Sequence, residues 1–375
     1  MSETTVYLDN AATTRISDSV LEAMLPWLRE GYGNASSVYS LGRKSAIALN
    51  KARAACAEIL GCQTREVFFT SGGTESDNTA VFSAASVGRE QGKRRIITSA
   101  FEHHAVLEPL KRLEKDGFDI VYLPVYREGI VRPADLEAAL TPDTALVTVM
   151  TVNNETGTVQ PAAELAAICA EHKVPFHTDA VQAFGNVPID LKNVDMMSLS
   201  GHKLHAAKGV GLLYVKDGTP FRPYILGGAQ QSGRRAGTEN IAGIVGLARA
   251  MSDAAADMDA KNAKLLPLRE KLITALSELP GAMLNGSREK RIASNVNVSF
   301  PGKEGETLVL RLDLMGIAVS SGSACTSGSL DPSHVLTAMG LSHDEARSAI
   351  RITMSKYTEP ADIDALISAM KTIIN

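Results

Sequence analysis

A lysine at residue 203 is the first candidate for chemistry, because it closes a short polar run that follows an apolar segment. The run reads Ser200-Gly201-His202-Lys203, and the residues before it, Asp195-Met196-Met197-Ser198-Leu199, predict a buried strand. In an α/β sheet, ligands bind at the carboxyl ends of the strands, so Lys203 is expected where a site is built. Most lysines are solvated surface charges, and that alternative stays open for Lys203 taken alone.

Two further segments follow predicted strands in the same way. Asp179 comes after Phe176-His177-Thr178, and a buried carboxylate at that point needs a partner, either a structural arginine or the protonated ring nitrogen of a cofactor. Gly72-Gly73-Thr74 connects a strand to a helix, whose free backbone N–H groups are suited to a phosphate. The turn matches neither the dinucleotide motif nor the P-loop, so a tight turn with Thr74 as helix cap is an equal alternative.

Together these segments supply the parts of a pyridoxal phosphate site. Such a site needs a lysine that carries the cofactor, a carboxylate for the ring nitrogen, a phosphate cradle and a group that stacks on the ring. Lys203, Asp179 and the glycine turn supply the first three, and an imidazole from His103-His104 supplies the fourth. We therefore predict pyridoxal 5'-phosphate as the cofactor, and we predict no metal site.

Cys325 is the second candidate for chemistry, because its segment consists of small residues, Ser320-Ser321-Gly322-Ser323-Ala324-Cys325-Thr326-Ser327-Gly328-Ser329. Such a segment buries little apolar surface, so we predict a mobile loop and not a packing role for the thiol. A nucleophilic thiol is one interpretation and an incidental surface cysteine is the other. A nucleophile would need a nearby base or cation, since an ordinary thiol has a pKa of about 8.5. The remaining cysteines are interpreted as reduced packing thiols: Cys56, Cys62 and Cys169.

The composition is that of a globular protein with a large core. The chain has 375 residues, of which 45% are hydrophobic and 21% are charged, and its formal net charge is −4. This balance, without a long basic run, argues against direct binding of nucleic acid. We find neither an apolar stretch of bilayer-crossing length nor a secretory signal, so we expect a cytoplasmic protein and no membrane partner.

Alternating strands and helices predict an α/β fold. The repeated strand–helix–strand units up to residue 215 imply a mainly parallel sheet between helices. Among them we predict strands at Arg95–Ser99 and Ala145–Val152 and a helix near Ala162–Glu171. Two helices are predicted next, one to about Met258 and one over residues 264–279, and a smaller α+β unit follows. We place the large domain at residues 16–260. The small domain is then residues 1–15 with 261–375, including the cysteine loop at about 320–332.

Five motifs make the chain resemble the cysteine desulfurases of the NifS/IscS type, in the class V aminotransferase-like group of fold-type I pyridoxal phosphate enzymes. They are Thr70-Ser71-Gly72-Gly73-Thr74-Glu75-Ser76-Asp77-Asn78, Val152-Asn153-Asn154-Glu155, Ser200-Gly201-His202-Lys203, Arg235-Ala236-Gly237-Thr238-Glu239-Asn240 and Ser321-Gly322-Ser323-Ala324-Cys325. The resemblance covers essentially the whole chain. It implies a seven-stranded sheet in the large domain, a homodimer, and removal of sulfur from L-cysteine to give L-alanine. The sulfur would pass to an acceptor protein for iron–sulfur cluster, thio-cofactor or tRNA biosynthesis.

The resemblance also implies roles for single residues. Lys203 would hold the cofactor and move the Cα proton of the substrate, while Asp179 would keep the ring nitrogen protonated. Gln182 would hydrogen-bond the 3-oxygen of the cofactor, and His103 would stack on its ring. The phosphate would be held by Gly73, Thr74, Ser200, His202 and, from the second subunit, Thr238. The substrate carboxylate would be bound by Arg351 and Asn154.

Cys325 would attack the substrate sulfur and carry it away as a persulfide, according to the same resemblance. Two other functions compete with this one. A selenocysteine lyase or a class V aminotransferase would keep the cofactor and change the reaction, and the aminotransferase needs no loop thiol. A non-catalytic protein that keeps the fold would bind no cofactor. The desulfurase is favoured because none of the reacting residues is missing from the sequence.

Overall fold

The computed structural model describes residues 6–321 and 332–374. The strands are β1 (Val6–Tyr7), β2 (Val67–Thr70), β3 (Arg95–Ser99), β4 (Asp119–Leu123), β5 (Thr144–Thr148), β6 (Phe176–Asp179), β7 (Met196–Ser200), β8 (Gly211–Val215), β9 (Met283–Leu284), β10 (Asn295–Ser299), β11 (Ile317–Ala318), β12 (Ser320–Ser321) and β13 (Ala349–Thr353). The α-helices are α1 (Asp18–Arg29), α2 (Ser40–Leu60), α3 (Gly73–Glu90), α4 (His104–Lys115), α5 (Pro133–Ala139), α6 (Ala162–Glu171), α7 (Ile241–Ser277), α8 (Gly305–Asp313), α9 (His334–Ala338), α10 (His343–Arg347) and α11 (Pro360–Ile374). Short 3-10 turns cover Thr64–Glu66, Gly201–Lys203 and Gln230–Gly233.

The large sheet has the strand order β2-β8-β7-β6-β5-β3-β4. Strands β7, β6, β5, β3 and β4 are parallel to one another, whereas β8 runs antiparallel to both β2 and β7. The prediction of a mainly parallel, seven-stranded α/β sheet is therefore confirmed. Its parallel strands end at one edge, and this is the edge where the sequence places its polar residues.

Two apolar cores cover the faces of this sheet, since successive side chains of a strand point to opposite faces. In β2, Val67 and Phe69 pack with α1, α2 and α7 on one face. Phe68 lies between them and packs with α3 and α4 on the other face. Both faces are thus closed to water, and the open side of the sheet is its edge.

A second unit contains the antiparallel sheet β12-β13-β10-β9 and the parallel pair β1-β11. Its core joins Leu8, directly after β1, to apolar residues from α7, β10, β13 and α11. The beginning of the chain therefore folds with its last third. These elements form the α+β unit expected from the sequence, and β9 is an addition to it.

Helix α7 corrects one prediction, since two helices were expected and a single helix runs from Ile241 to Ser277. The predicted break at residues 257–264 has neither glycine nor proline, and alanine, lysine and methionine favour the helix there. Leu247 of this helix belongs to a core of the large sheet, whereas Leu272 belongs to the core of the smaller unit. The domain boundary near residue 260 stays a prediction.

Three cysteines behave as the sequence suggested. Cys56 and Cys169 are buried, Cys62 is partly buried, and all three are free thiols. Burial raises the pKa of Cys56 and of Cys169 to about 12, and that of Cys62 to about 11, so these thiols stay protonated. In residues 6–321 and 332–374, no helix combines the length and apolarity needed to span a membrane.

Candidate active site

Lys203 ends the 3-10 turn that directly follows β7. Its Nζ donates hydrogen bonds to the backbone oxygens of Ala11, at 2.6 Å, and Ala12, at 2.7 Å. Nε2 of Gln182 donates to the Ala11 oxygen as well, at 3.1 Å. The turn after β1 thus crosses the edge of the large sheet and fixes the position of the lysine side chain.

A cavity of about 500 Å³ lies at this edge. Most of the predicted site residues line it, namely Gly73, Thr74, His103, Asn154, Asp179, Gln182, Ser200, His202, Lys203 and Arg351. Thr238 is exposed to solvent and is not part of this wall. Cys325 lies outside the described residues. Side chains that are far apart in the sequence therefore meet as the strand ends predicted.

The glycine turn forms a narrow part of the cavity wall. A Cβ atom on Gly73 would lie 2.8 Å from Cγ2 of Val181, closer than such atoms approach each other. The N-terminal end of α3 starts here with Gly72 as its cap, so the alternative that made Thr74 the cap is wrong. The free N–H groups and the helix dipole favour an anion at this place. The cavity gives that anion room beside Lys203.

Asp179 lies at the end of β6 and is 6% exposed. Its Oδ1 accepts a hydrogen bond from the backbone N–H of Val181 at 2.8 Å. Burial raises the pKa of Asp179 above its ordinary value, while that hydrogen bond and the positive charge of Lys203 act in the opposite direction. A cationic ring nitrogen near Asp179 would stabilise the ionised form further.

His103 caps the start of α4 and faces the cavity. Its Nδ1 accepts a hydrogen bond from the N–H of Ala105 at 3.1 Å, so the ring proton belongs on Nε2. Burial first, and then the charge of Lys203, lowers the pKa of His103 to about 4. The imidazole is therefore neutral at physiological pH. The ring of His104 lies 4.6 Å from that of His334 and does not line the cavity.

Arg351 is a cation in the middle of β13, and only 2% of it is exposed. Its Nη2 donates to Oδ1 of Asp9 at 2.9 Å, and its Nη1 donates to the backbone oxygen of Asn154 at 3.2 Å. In the part of the chain that the structure describes, its Nε has no hydrogen-bond partner. A buried guanidinium with an unused N–H beside a cavity is suited to binding a carboxylate.

His202 connects the lysine turn to the first segment of the chain. Its Nδ1 lies 3.1 Å from Oγ1 of Thr13, and its backbone oxygen accepts a hydrogen bond from the N–H of Thr14 at 3.0 Å. Burial lowers its pKa to about 4, and the charge of Lys203 acts in the same direction. A neutral imidazole at this end of the cavity is able to donate one hydrogen bond.

An ion pair that was not predicted joins two of the sequence motifs. Nε and Nη2 of Arg235 donate to the two carboxylate oxygens of Glu75, at 2.8 Å and 3.0 Å. Burial raises the pKa of Glu75, but hydrogen bonds from Arg235 and Ser71 outweigh this and hold the pKa below its ordinary value. The pair fastens the first turn of α3 to the loop that contains Thr238. No spacing in the sequence signals it, because the two residues are 160 positions apart.

Two other acids near the cavity were not assigned either. Asp9 belongs to the polar turn after β1 and pairs with Arg351. Asp77 belongs to α3 and lines the cavity wall beside Asp179. Both lie in polar segments that directly follow predicted strands, and this position is the signal that would have selected them.

Comparison with known proteins identifies relatives along the whole chain. The family described as aminotransferase class V matches residues 6–366. The cysteine desulfurase IscS of Methanosarcina thermophila is 47% identical over 371 residues, which cover 98% of this chain and 92% of that protein. A solved NifS-like protein is 40% identical with a TM-score of 0.93, and the alignment covers 98% of this chain and 99% of that one. A structure described as SspA in complex with cysteine is 36% identical with a TM-score of 0.82, covering 94% of this chain and 99% of that one.

Proposed function

The chain belongs to the class V aminotransferase family, and from this premise we propose that it is a cysteine desulfurase, which converts L-cysteine to L-alanine and retains the sulfur. The observation that carries the proposal is the convergence of five groups on one cavity of about 500 Å³: Lys203, Asp179, His103, the glycine turn and Arg351. A lysine, an acid, a neutral ring and an anion site are the requirements of a pyridoxal phosphate enzyme. The guanidinium adds a site for the carboxylate of an amino acid.

The residues fit pyridoxal 5'-phosphate. The wall at Gly73 leaves no space for a Cβ atom, as expected where a phosphate must approach the backbone. Asp179 offers a buried carboxyl to the ring nitrogen, and Ser200 and His202 add hydrogen-bond donors next to the glycine turn. When bound, the cofactor supplies an electron sink for the bonds at the substrate α-carbon.

Arg351 provides the selectivity for an α-amino acid. Asp9 and Asn154 hold two of its nitrogens, so the guanidinium is oriented before the substrate arrives. The Nε–H has no hydrogen-bond partner among the residues described, so we assign it as a donor to the substrate carboxylate. Lys203 is held by the carbonyl groups of Ala11 and Ala12, and we assign it the transfer of the Cα proton.

Cys325 is assigned as the sulfur-accepting nucleophile. In the balanced reaction its thiol and L-cysteine give a Cys325 persulfide and L-alanine, as the C–S bond of the substrate breaks and an S–S bond forms. Both flanks of its segment support the assignment. Ser320 pairs with Arg351 in the small sheet, and Ser333 donates to the buried carboxyl of Glu155, next to Asn154. The residues that flank this segment therefore pair with Arg351 and with the chain neighbour of Asn154.

A mass-spectrometric experiment tests the proposal. After incubation with L-cysteine, the peptide that contains Cys325 should gain one sulfur atom, with alanine formed in proportion. Cys325→Ser should lose this product and sulfide release and should still bind the cofactor, while Cys62→Ser serves as the matched control. Full turnover by Cys325→Ser would favour an aminotransferase, and a protein that binds no cofactor would be non-catalytic. Rates with L-selenocysteine measured in parallel decide between a desulfurase and a selenocysteine lyase.

We further propose a cytoplasmic homodimer that delivers sulfur to an acceptor protein, a scaffold for iron–sulfur clusters or another sulfur carrier. Thr238 is exposed on its own chain, and in the dimer it would complete the phosphate site of the other subunit. The ion pair between Arg235 and Glu75 would hold this loop at the subunit boundary. Light scattering on the loaded protein measures the oligomeric state, and a monomer would contradict the role of Thr238.

A further inference from the structure

Asp77 is a buried acid that the proposed reaction does not use. It lies in the second turn of α3 with 1% of its surface exposed, and its side chain lines the same cavity as Asp179 and Lys203. The Ser198 hydroxyl group favours the ionised form of this carboxyl group, against the larger effect of burial on its pKa. Within the described ranges, Oδ1 of Asp77 has no hydrogen-bond partner. A buried polar oxygen without a partner requires an explanation.

The nearest basic group does not neutralise Asp77. Of the basic nitrogens in the described ranges, Nε2 of His177 is the one within 4.0 Å, at 3.7 Å from Oδ1. Nδ1 of His177 lies 2.8 Å from Oγ1 of Thr148, and Nε2 lies 3.0 Å from Oγ of Ser198. Burial lowers the pKa of His177 to about 3, so the ring is neutral. An unpaired carboxylate is costly in such surroundings, and the group keeps its proton instead.

The other charged groups that act on Asp77 are themselves acids. Burial is the main cause that raises the pKa of Asp77, and the charges of Asp179, from β6, and Glu102, from the loop after β3, add to it. Glu102 is fully buried, and burial raises its own pKa to about 8. Lys203 is the cation that favours the ionised form of Asp179. The negative charges of Asp179 and Glu102 therefore make the ionised form of Asp77 less favourable.

We propose that Asp77 is a positioning residue that holds a proton, so that Asp179 beside it can remain ionised and face the ring nitrogen of the cofactor. The inference rests on the proposed function for the identity of the cofactor. If Asp77 gave up its proton, two anions would share this corner, and Asp179 would have to take up a proton and lose its charge. The proton stays on one oxygen of Asp77 and no bond changes during the reaction.

Infrared spectroscopy tests the protonation directly and needs no activity. A protonated carboxyl group has a C=O stretching band that a carboxylate lacks, and labelling with ¹³C-aspartate shifts the bands of aspartate alone. We expect such a band in the protein at neutral pH, with and without cofactor, and its loss in Asp77→Asn. Asp77→Ser replaces that variant if it does not fold. An Asp77 variant with the same aspartate bands as the wild type would overturn the inference.

Cofactor titration gives a second, independent result. Asparagine has the shape of a protonated aspartic acid, so Asp77→Asn should bind pyridoxal 5'-phosphate with a Kd within about threefold of the wild type. Asp179→Asn removes the charge that the ring nitrogen needs, and its Kd should rise by more than tenfold. Equal losses in both variants would mean that Asp77 acts as an anion, against our inference. If the wild type itself does not bind the cofactor, the proposed function fails, and the infrared result still decides the state of Asp77.

Discussion

Replacement of Gly211 by alanine is a sharp test of the phosphate cradle. Gly211 begins β8 and lies between Thr70 of β2 and Ser200 of β7 in the sheet register. A Cβ at residue 211 would lie 2.6 Å from Cα of Gly72 and 2.7 Å from the backbone oxygen of Leu199. Both contacts involve backbone atoms, so no side-chain rotation relieves them. The turn at Gly72 must move for the methyl group to fit.

The size of the effect follows from the cost of overpacking. One methyl group inserted into a packed interior costs about 1–3 kcal/mol. If the methyl group displaces the turn that holds the phosphate, cofactor binding is weakened by the same free energy. About 1.4 kcal/mol corresponds to a tenfold change in Kd. We therefore expect Gly211→Ala to raise the Kd for pyridoxal 5'-phosphate by about 5- to 150-fold. The assay is a titration of the apo-protein followed by absorbance, with urea unfolding measured in parallel.

Gly61→Ala is the matched control for this experiment. Gly61 ends α2 in the left-handed region, with φ of 66°, and a Cβ there would meet no atom within 4 Å. The substitution Gly61→Ala costs about 1–2 kcal/mol of stability, because it strains the backbone at a position away from the cavity. The control should lose stability and keep the wild-type Kd. If Gly211→Ala is destabilised like the control and binds the cofactor within twofold of the wild type, the glycine turn is not the cradle.

Three more variants test other parts of the site. Arg351→Lys keeps the charge and loses the bidentate geometry. We expect kcat/KM for L-cysteine to fall by about tenfold or more, with an unchanged Kd for the cofactor. If cofactor affinity fell by the same factor, Arg351 would not be a group that binds the substrate. Arg235→Lys leaves a single contact to Glu75, so the free energy of unfolding measured with urea should fall by about 1 kcal/mol. An unchanged free energy of unfolding would mean that the second contact adds no stability. Glu102→Gln should flatten the pH profile of stability. Burial raises the pKa of Glu102 in the folded protein to about 8. The protonated side chain therefore contributes fully to the free energy of unfolding below the unfolded pKa of about 4.3, and this contribution is lost as the pH rises to about 8. Urea midpoints of the apo-protein across this range measure it, and an unchanged slope in the variant would contradict the assignment.

Local pattern was sufficient to predict most elements of the large sheet. The strand Arg95–Ser99 and the helix Ala162–Glu171 coincide with their predictions, since each is an apolar pattern bounded by polar turns. Other elements have weaker boundaries. The apolar run from residue 145 to 152 predicted a longer strand, but β5 ends at Thr148, because pairing with neighbouring strands limits the strand and hydrophobicity does not.

Long-range pairing was beyond the reach of the sequence. Nothing in the pattern indicates that β8 inserts between β2 and β7 with reversed direction, and β9 has only two residues, too few for any period. The same limit applies to the site. Strand ends predicted that Lys203 and Asp179 would meet, whereas the pairing of Asp9 with Arg351 depends on the packing of segments 342 positions apart. The position of a site residue is predictable when the strand that precedes it determines that position. It is not predictable when the position depends on packing against a distant segment.

The position of the first strand has a consequence for synthesis on the ribosome. β1 pairs with β11, and Asp9 pairs with Arg351. The turn that follows β1 holds Lys203 through the backbone oxygen of Ala11. The first segment therefore stays unpaired while the chain is translated from Asp9 to Arg351, a separation of 342 positions. At about 5–20 residues per second this takes roughly 20–70 s. The strands of the large sheet are complete at Val215, so this sheet emerges before the pairing that orients its lysine, and the proposed cofactor would be loaded after translation.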